Sequence, residues 1–153
     1  MEIPTELLHA DSSLVETIVD WHLHEWGAQE GGERETWTTR LRSRTHHDDI
    51  PFTVVGFLDD ELVGSLTVSH DDVDSRFAEA GPWLAGMLVI GKARNLGIGR
   101  ALLTHAAEQA KRCGATTLWL YTTEASQFYE RCGYQVAHRK ESAMDTAVLW
   151  REL

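Results

Sequence analysis

The 153-residue chain has few cysteines, few prolines and no long apolar run, and it is short of basic side chains. Without about 18 consecutive apolar residues there is no spanning helix to expect. The opening MEIPTELLHADSS has neither a basic start nor an apolar core, so no signal peptide is expected and the chain is assigned to the cytoplasm. The two cysteines, Cys113 and Cys132, lie in no CxxC or Cys/His ligand spacing. A chain of this length needs no covalent staple, so both are expected as free, partly buried thiols. Eight histidines are present, but no HExxH is. His22 and His24 would point about 200° apart on a helix, and His46 and His47 sit in the polar run THHDD, so no metal site is expected. Lys and Arg together number 14 against 24 Asp and Glu, a net charge of −10. That balance disfavours nucleic acid or an anionic membrane as partner.

The deficit is uneven. Residues 1–80 carry 18 acids and 5 bases, whereas residues 81–153 carry 6 acids and 9 bases. An acidic front half and a mildly basic back half suit a cationic ligand and a phosphate-bearing ligand held by different regions. With 42% hydrophobic and 25% charged residues, the composition is that of an ordinary globular chain, and the length fits one domain over 1–153.

Residues 3–9 read as a short strand. A helical pattern then starts at Ser12 or Ser13, where Ser13 and Glu16 have capping-box spacing, and is expected to end before Gly27. A second helix is expected over 33–44, with Trp37 and Leu41 on one face. Two strands, FTVVGFL and ELVGSLTVSH, flank Asp59-Asp60 as a hairpin. After an acidic loop, residues 83–90 are almost all apolar, the pattern of a strand buried on both faces. The loop GKARNLGIG leads into a helix whose apolar positions Ile98, Leu102, Ala106, Ala110 and Cys113 share a face, with Gly114 as its cap. A strand at 116–121, a short helix at 124–132 and strands at 134–139 and 144–151 complete an α/β (α+β) domain with a mixed sheet.

Two phosphate-binding patterns overlap at residues 86–99. Gly86 to Lys92 fits GxxxxGK, but Ala93 stands where a P-loop needs the hydroxyl that holds magnesium, and Met87, Leu88, Val89 and Ile90 are strand formers. The second pattern is Arg94, Asn95, Leu96, Gly97, Ile98 and Gly99, between a strand and a helix. Glycines there let an anion approach the backbone, and free N–H groups at the helix start point at it. Lys92, Arg94 and Arg100 add charge.

The RxxGxG pattern of Arg94, Gly97 and Gly99, followed by the FYxxxGY pattern of Phe128, Tyr129, Gly133 and Tyr134, resembles the GCN5-related N-acetyltransferases (GNAT superfamily) along essentially the whole chain. The resemblance implies a twisted, mostly antiparallel sheet of six to seven strands with about four helices, in which two parallel strands splay apart around the pantetheine arm of acetyl-CoA. It places Met87, Leu88 and Val89 along that arm, with an amide near Met87 or Leu88 facing the thioester oxygen. It places the pyrophosphate on Arg94 to Arg100, makes Tyr129 the general acid for the departing thiolate, sets Phe128 as core or cofactor wall, and requires no metal. Tyr134 is expected in the core. The family's Asn after the fifth strand has no counterpart, leaving Thr122 or Ser126 to replace it. A Glu common on the fourth strand is absent from Trp83 to Gly86, leaving His70, Asp71, Asp72 and Glu25 as candidate bases.

In this superfamily the first helices and the loop before the fourth strand build the acceptor pocket, which here implicates Trp21, Glu25, Trp26, Asp71 and Trp83. Aromatics mixed with carboxylates suit an ammonium group. The expected activity is therefore acetyl transfer to a primary amine by direct attack, the amine being small and cationic. A peptide or protein N-terminus is the alternative, since LYTTEASQFYERCGYQV also resembles an actin N-terminal acetyltransferase. An acyl-CoA-binding module without turnover is the non-enzymatic alternative. The C-terminal strand with Trp150 is the surface expected for a homodimer.

Overall fold

A computed structural model describes residues 2–71, 77 and 79–153, and for 143–145 the backbone course alone. In chain order the elements are β1 (Thr5–Leu7), α1 (Leu14–Glu30), α2 (Arg34–Arg42), β2 (Phe52–Leu58), β3 (Glu61–Ser69), β4 (Trp83–Val89), α3 (Ile98–Arg112), β5 (Thr117–Thr122), α4 (Ser126–Arg131), β6 (Gln135–Lys140) and β7 (Ala143–Glu152). One sheet of seven strands runs β1-β2-β3-β4-β5-β7-β6. All neighbours are antiparallel except β4 and β5, which are parallel. This is the mixed, mostly antiparallel sheet with four α-helices that the sequence implied.

The β2–β3 hairpin closes through Asp59 and Asp60, both left-handed (φ 50° and 66°), with Leu58 paired to Glu61. Two residues at positive φ match the right-handed twist of the strands they join. α3 lies across β2 and β3, burying Ile98, Leu102, Ala106 and Ala110. A fully buried Leu or Ile contributes about 1.5–3 kcal/mol, so this stripe fixes α3 on the sheet and leaves its N-terminal turn free for other work. A second cluster under α1 and α2 holds Val15, Ile18, Val19, Trp37 and Leu41.

Three local readings are corrected. Ser13 is already helical (φ −64°, ψ −18°) and makes no side-chain cap. Instead Ser12 Oγ accepts the Leu14 N–H at 3.1 Å, and Glu16 turns outward to Arg34 at 2.9 Å. Second, α1 runs through Gly27 to Glu30, because Gly31 (φ 68°) supplies the left-handed end and donates to the Gly27 carbonyl at 2.8 Å. The added turn brings Gln29 and Glu30 to the cavities described below. Third, β4 is not buried on both faces: Trp83 and Leu84 are buried, while Ala85 to Val89 are half-exposed. The cause is the separation of β4 from β5.

Candidate active site

β4 and β5 pair at a single position, Trp83 with Trp119, supported by the Trp119 N–H donating to the Pro82 carbonyl at 3.0 Å. Past that point the strands part. A cleft of about 920 Å³ opens between them, walled by Met87, Leu88 and Val89 on one side and Leu120, Tyr121 and Thr122 on the other. The β4 backbone is re-aimed at its entrance by a bulge: Ala85 pairs with Thr67 and Leu88 with Ser65, so Gly86 and Met87 oppose the single Leu66. Gly86 takes φ 61°, the conformation such a bulge requires and a side chain would resist.

The N-terminus of α3 forms one end of the cleft. Gly97 (φ 88°) and Asn95 (φ 64°) are left-handed, and the first helical bond runs from the Ala101 N–H to the Gly97 carbonyl at 3.1 Å. The N–H groups of Ile98, Gly99 and Arg100 precede that bond, so they have no partner within the helix, and the dipole adds positive potential. A Cβ at Gly99 would lie 2.9 Å from the Met87 methyl and 3.2 Å from the Phe128 ring, so a side chain there would displace both. Arg94, Asn95, Gly97 and Arg100 line the cleft. Leu96 faces solvent, and Lys92 is drawn off to Glu61 at 2.6 Å. The GxxxxGK pattern is used up as strand, since Met87 to Val89 belong to β4.

Tyr129 and Phe128 stand on the α4 side of the cleft. Tyr129 is 9% exposed and packed edge-on against Phe128 and Tyr134, with centroids 5.2 and 5.9 Å apart. Among the described residues its hydroxyl has no hydrogen-bond partner. Burial pushes its pKa up to about 12, with the nearby Cys132 acting in the same direction, so the phenol keeps its proton. Tyr134 is core, as expected. Thr122 lines the cleft while its Oγ1 accepts the Ala125 N–H at 3.0 Å. Ser126 is fully buried away from the cleft and accepts from Arg139 Nη1 at 3.3 Å.

On the other side of Gly86 lies a smaller cavity of about 290 Å³, between α1, α2, β3 and β4. Trp26, Asp71 and Trp83 line it, as do His22, Trp37, Arg40 and Arg44. Ala85, Gly86, Trp26 and Glu30 border both spaces, so the two meet there. Trp21 reaches neither, packing instead into the cluster under α1 and α2. Glu25 borders the larger cleft, and Asp71 is ion-paired to Arg44 at 2.7 Å. His70 is exposed and borders neither space, and Asp72 lies outside the described residues. Among the described residues no three His, Cys, Asp or Glu side chains gather as a metal site.

Sequence reasoning passed over His22. Its Nε2 is buried without a hydrogen-bond partner, and the ring stands 3.6 Å from where a Gly86 side chain would begin. Only the position of Gly86 reveals this, and no spacing in the sequence encodes it. Desolvation, with Arg40 and Arg44 adding positive potential, lowers the His22 pKa to about 4 against a weaker opposing backbone contact at Gly86. In the folded state it is therefore neutral where the unfolded chain takes up a proton, and stability falls as pH drops from about 6.5 toward 4. The full loss corresponds to about 3 kcal/mol. Urea unfolding at pH 7.5 and pH 4 is expected to show that part of the pH dependence in the native chain and to lose it in His22→Leu. Equal pH slopes in the two proteins would contradict the neutral, buried assignment.

The family model described as acetyltransferase (GNAT) family matches residues 14–134. No curated protein matches the chain at the sequence level. Among solved structures, an aminoglycoside 6′-N-acetyltransferase complexed with coenzyme A superposes with a TM-score of 0.70 at 17% identity, over 99% of this chain and 97% of that one. A GNAT-family acetyltransferase from Streptococcus pneumoniae gives 0.71 at 18% identity, over 99% of both chains. An N-acetyltransferase from Thermoplasma acidophilum in complex with coenzyme A gives 0.66 at 17% identity, over the full length of each. At these identities the likeness establishes the fold.

Proposed function

The chain belongs to the acetyltransferase (GNAT) family, and from that premise we propose that it transfers the acetyl group of acetyl-CoA to a primary amine within a ternary complex. One observation carries the reading. The cleft between β4 and β5 has unpaired helix N–H groups at one end and the Tyr129 hydroxyl on its wall, and it meets a second cavity at Gly86. An extended, phosphate-bearing donor suits the first space and an amine the second. The fit is steric as well as electrostatic, since Gly97 and Gly99 leave bare backbone where a diphosphate would sit.

Acetyl-CoA supplies an activated carbonyl carbon. The amine nitrogen forms its bond to that carbon, the C–S bond breaks, and the sulfur leaves with a proton. A backbone N–H at Met87 or Leu88, beside the Gly86–Met87 bulge, faces the oxygen that gains charge. Tyr129 Oη donates a hydrogen bond to the departing sulfur, which takes up the proton lost from nitrogen. Of the acids weighed as base, Glu25 is the one among the described residues on the wall of the larger cleft, and we assign it removal of the ammonium proton through solvent.

The smaller cavity carries two carboxylates, Glu30 and Asp71, the latter paired to Arg44. Glu16 and Asp20 are engaged on the outer surface, where they bind Arg34. Two of the front half's five basic side chains, Arg40 and Arg44, line the cavity. The reading here is a primary amine small enough to enter about 290 Å³, near the lower end for small-molecule sites.

The test is acetyl-CoA-dependent thiol release across polyamines, aminoglycosides, amino acids, and acidic and neutral peptides, with the product mass checked for an added acetyl group. Saturable release with one class is the expected outcome. Binding of acetyl-CoA with no release from any amine would favour the non-catalytic acyl-CoA module.

A further inference from the structure

Resting on the acetyltransferase reading, we propose that the acceptor is an amine that also carries a carboxylate, held by Arg40 at the end of the smaller cavity remote from the cofactor cleft.

The four charged side chains of that cavity are not equivalent. Arg44 is already neutralised by Asp71 at 2.7 Å, and Asp71 also accepts from the Ser69 hydroxyl at 3.0 Å. Glu30 borders both spaces, so its charge belongs to the shared wall where the amine must arrive. Arg40 borders the smaller cavity alone and, among the described residues, has no carboxylate within ion-pair distance. Its guanidinium, on an exposed side chain, lies over the Trp37 ring at 4.7 Å from the centroid, a cation–π contact that orients the group, and among the described residues no hydrogen bond occupies its N–H edge. A planar, oriented fork with no ion-pair partner among the described residues is the geometry that a carboxylate completes with two parallel hydrogen bonds.

The local potential agrees. The charges that act on His22, at the junction of the two spaces, are Arg40 and Arg44, and both disfavour its protonation. A purely cationic acceptor would enter against that field. A zwitterionic one places its anionic end on Arg40 and its nitrogen toward Glu30 and Gly86. Trp26, Trp37 and Trp83 supply apolar wall for the intervening carbons.

The experiment uses matched acceptors: α- and ω-amino acids of two to six carbons, each against its own carboxamide, in the thiol-release assay with saturating acetyl-CoA. For at least one pair, kcat/KM is expected to be tenfold or more higher for the acid. In Arg40→Gln that ratio falls about tenfold through a raised KM for the acid, and Arg40→Lys recovers part of it. Equal or inverted ratios with active enzyme would overturn the carboxylate assignment and leave acetyl transfer standing. So would an acid preference unchanged in Arg40→Gln. Absence of release from every acid and every amide, and from the wider amine panel, would overturn both readings.

Discussion

Gly97→Asp is expected to weaken coenzyme A binding about a hundredfold while the protein still folds. The residue occupies φ 88° at the start of α3, and no atom lies within 4 Å of the position its Cβ would take. Asp is among the few residues that tolerate the left-handed region, so the fold loses about 1 kcal/mol, or about 2–4 °C in Tm for a chain of this size. Binding suffers far more. A carboxylate would compete with the ligand's diphosphate for the N–H groups of Ile98, Gly99 and Arg100 and would oppose its charge. A hundredfold loss corresponds to about 2.8 kcal/mol, within reach of one misplaced charge at a helix N-terminus plus the repulsion it adds. Gly97→Asn separates the causes, since it has the same shape and tolerance of φ without the charge. Calorimetric titration with coenzyme A is expected to show the Asn variant within about fivefold of native. Native affinity in Gly97→Asp would remove the diphosphate from this loop.

Tyr129→Phe is expected to lower kcat ten- to hundredfold with the acetyl-CoA dissociation constant within about threefold of native. General acid assistance contributes about 10²–10⁴-fold when proton transfer is well matched. The match here is imperfect. From the sequence alone a phenol and a thiol stand within about two in pKa, but burial pushes Tyr129 up to about 12, a gap of about 3.5 from a thiol near 8.5. Full transfer to a thiolate is uphill by about 5 kcal/mol. The phenol therefore acts mainly as a hydrogen-bond donor as the C–S bond breaks, which places the effect toward the lower part of that range. Folding should not suffer. The hydroxyl has no partner among the described residues, so its removal strands no buried group, and Tm should be equal or higher in Tyr129→Phe. Unchanged kcat would take Tyr129 out of the acid role. A fall in affinity as large as the fall in kcat would make it a wall of the cleft and nothing more.

The order of elements and the glycine-bearing end of the cleft were legible because each is written in a local pattern. The Asp59-Asp60 turn between two apolar runs marks β2 and β3, a 3.6-residue period marks α3, and Gly97 and Gly99 mark a helix start without side chains. Boundaries were less legible where two local rules compete. Gly27 reads as a helix end but serves as helix interior, because Gly31 satisfies the cap better. Ser13 and Glu16 have the spacing of a capping box, yet Arg34 draws Glu16 outward. The apolar run of β4 reads as doubly buried because hydrophobicity records the absence of water-seeking groups, whether neighbouring protein or a ligand covers them.

The acceptor side lay beyond local patterns altogether. Charge summed over residues 1–80 suggested a cation, but a sum ignores direction: folding sends Glu16 and Asp20 outward to Arg34, while two acids, Glu30 and Asp71, and two bases, Arg40 and Arg44, line the cavity. His22 is unremarkable in the sequence and gains meaning from Gly86, 64 positions away. By itself the sequence determined the sheet-and-helix order, the bare glycine turn at the start of α3 and the phenol on α4, since each depends on residues within one or two turns of chain. The tertiary structure alone decided where β4 leaves β5, which charges face inward and which polar atoms lack partners, because these depend on distances between segments that no local spacing specifies.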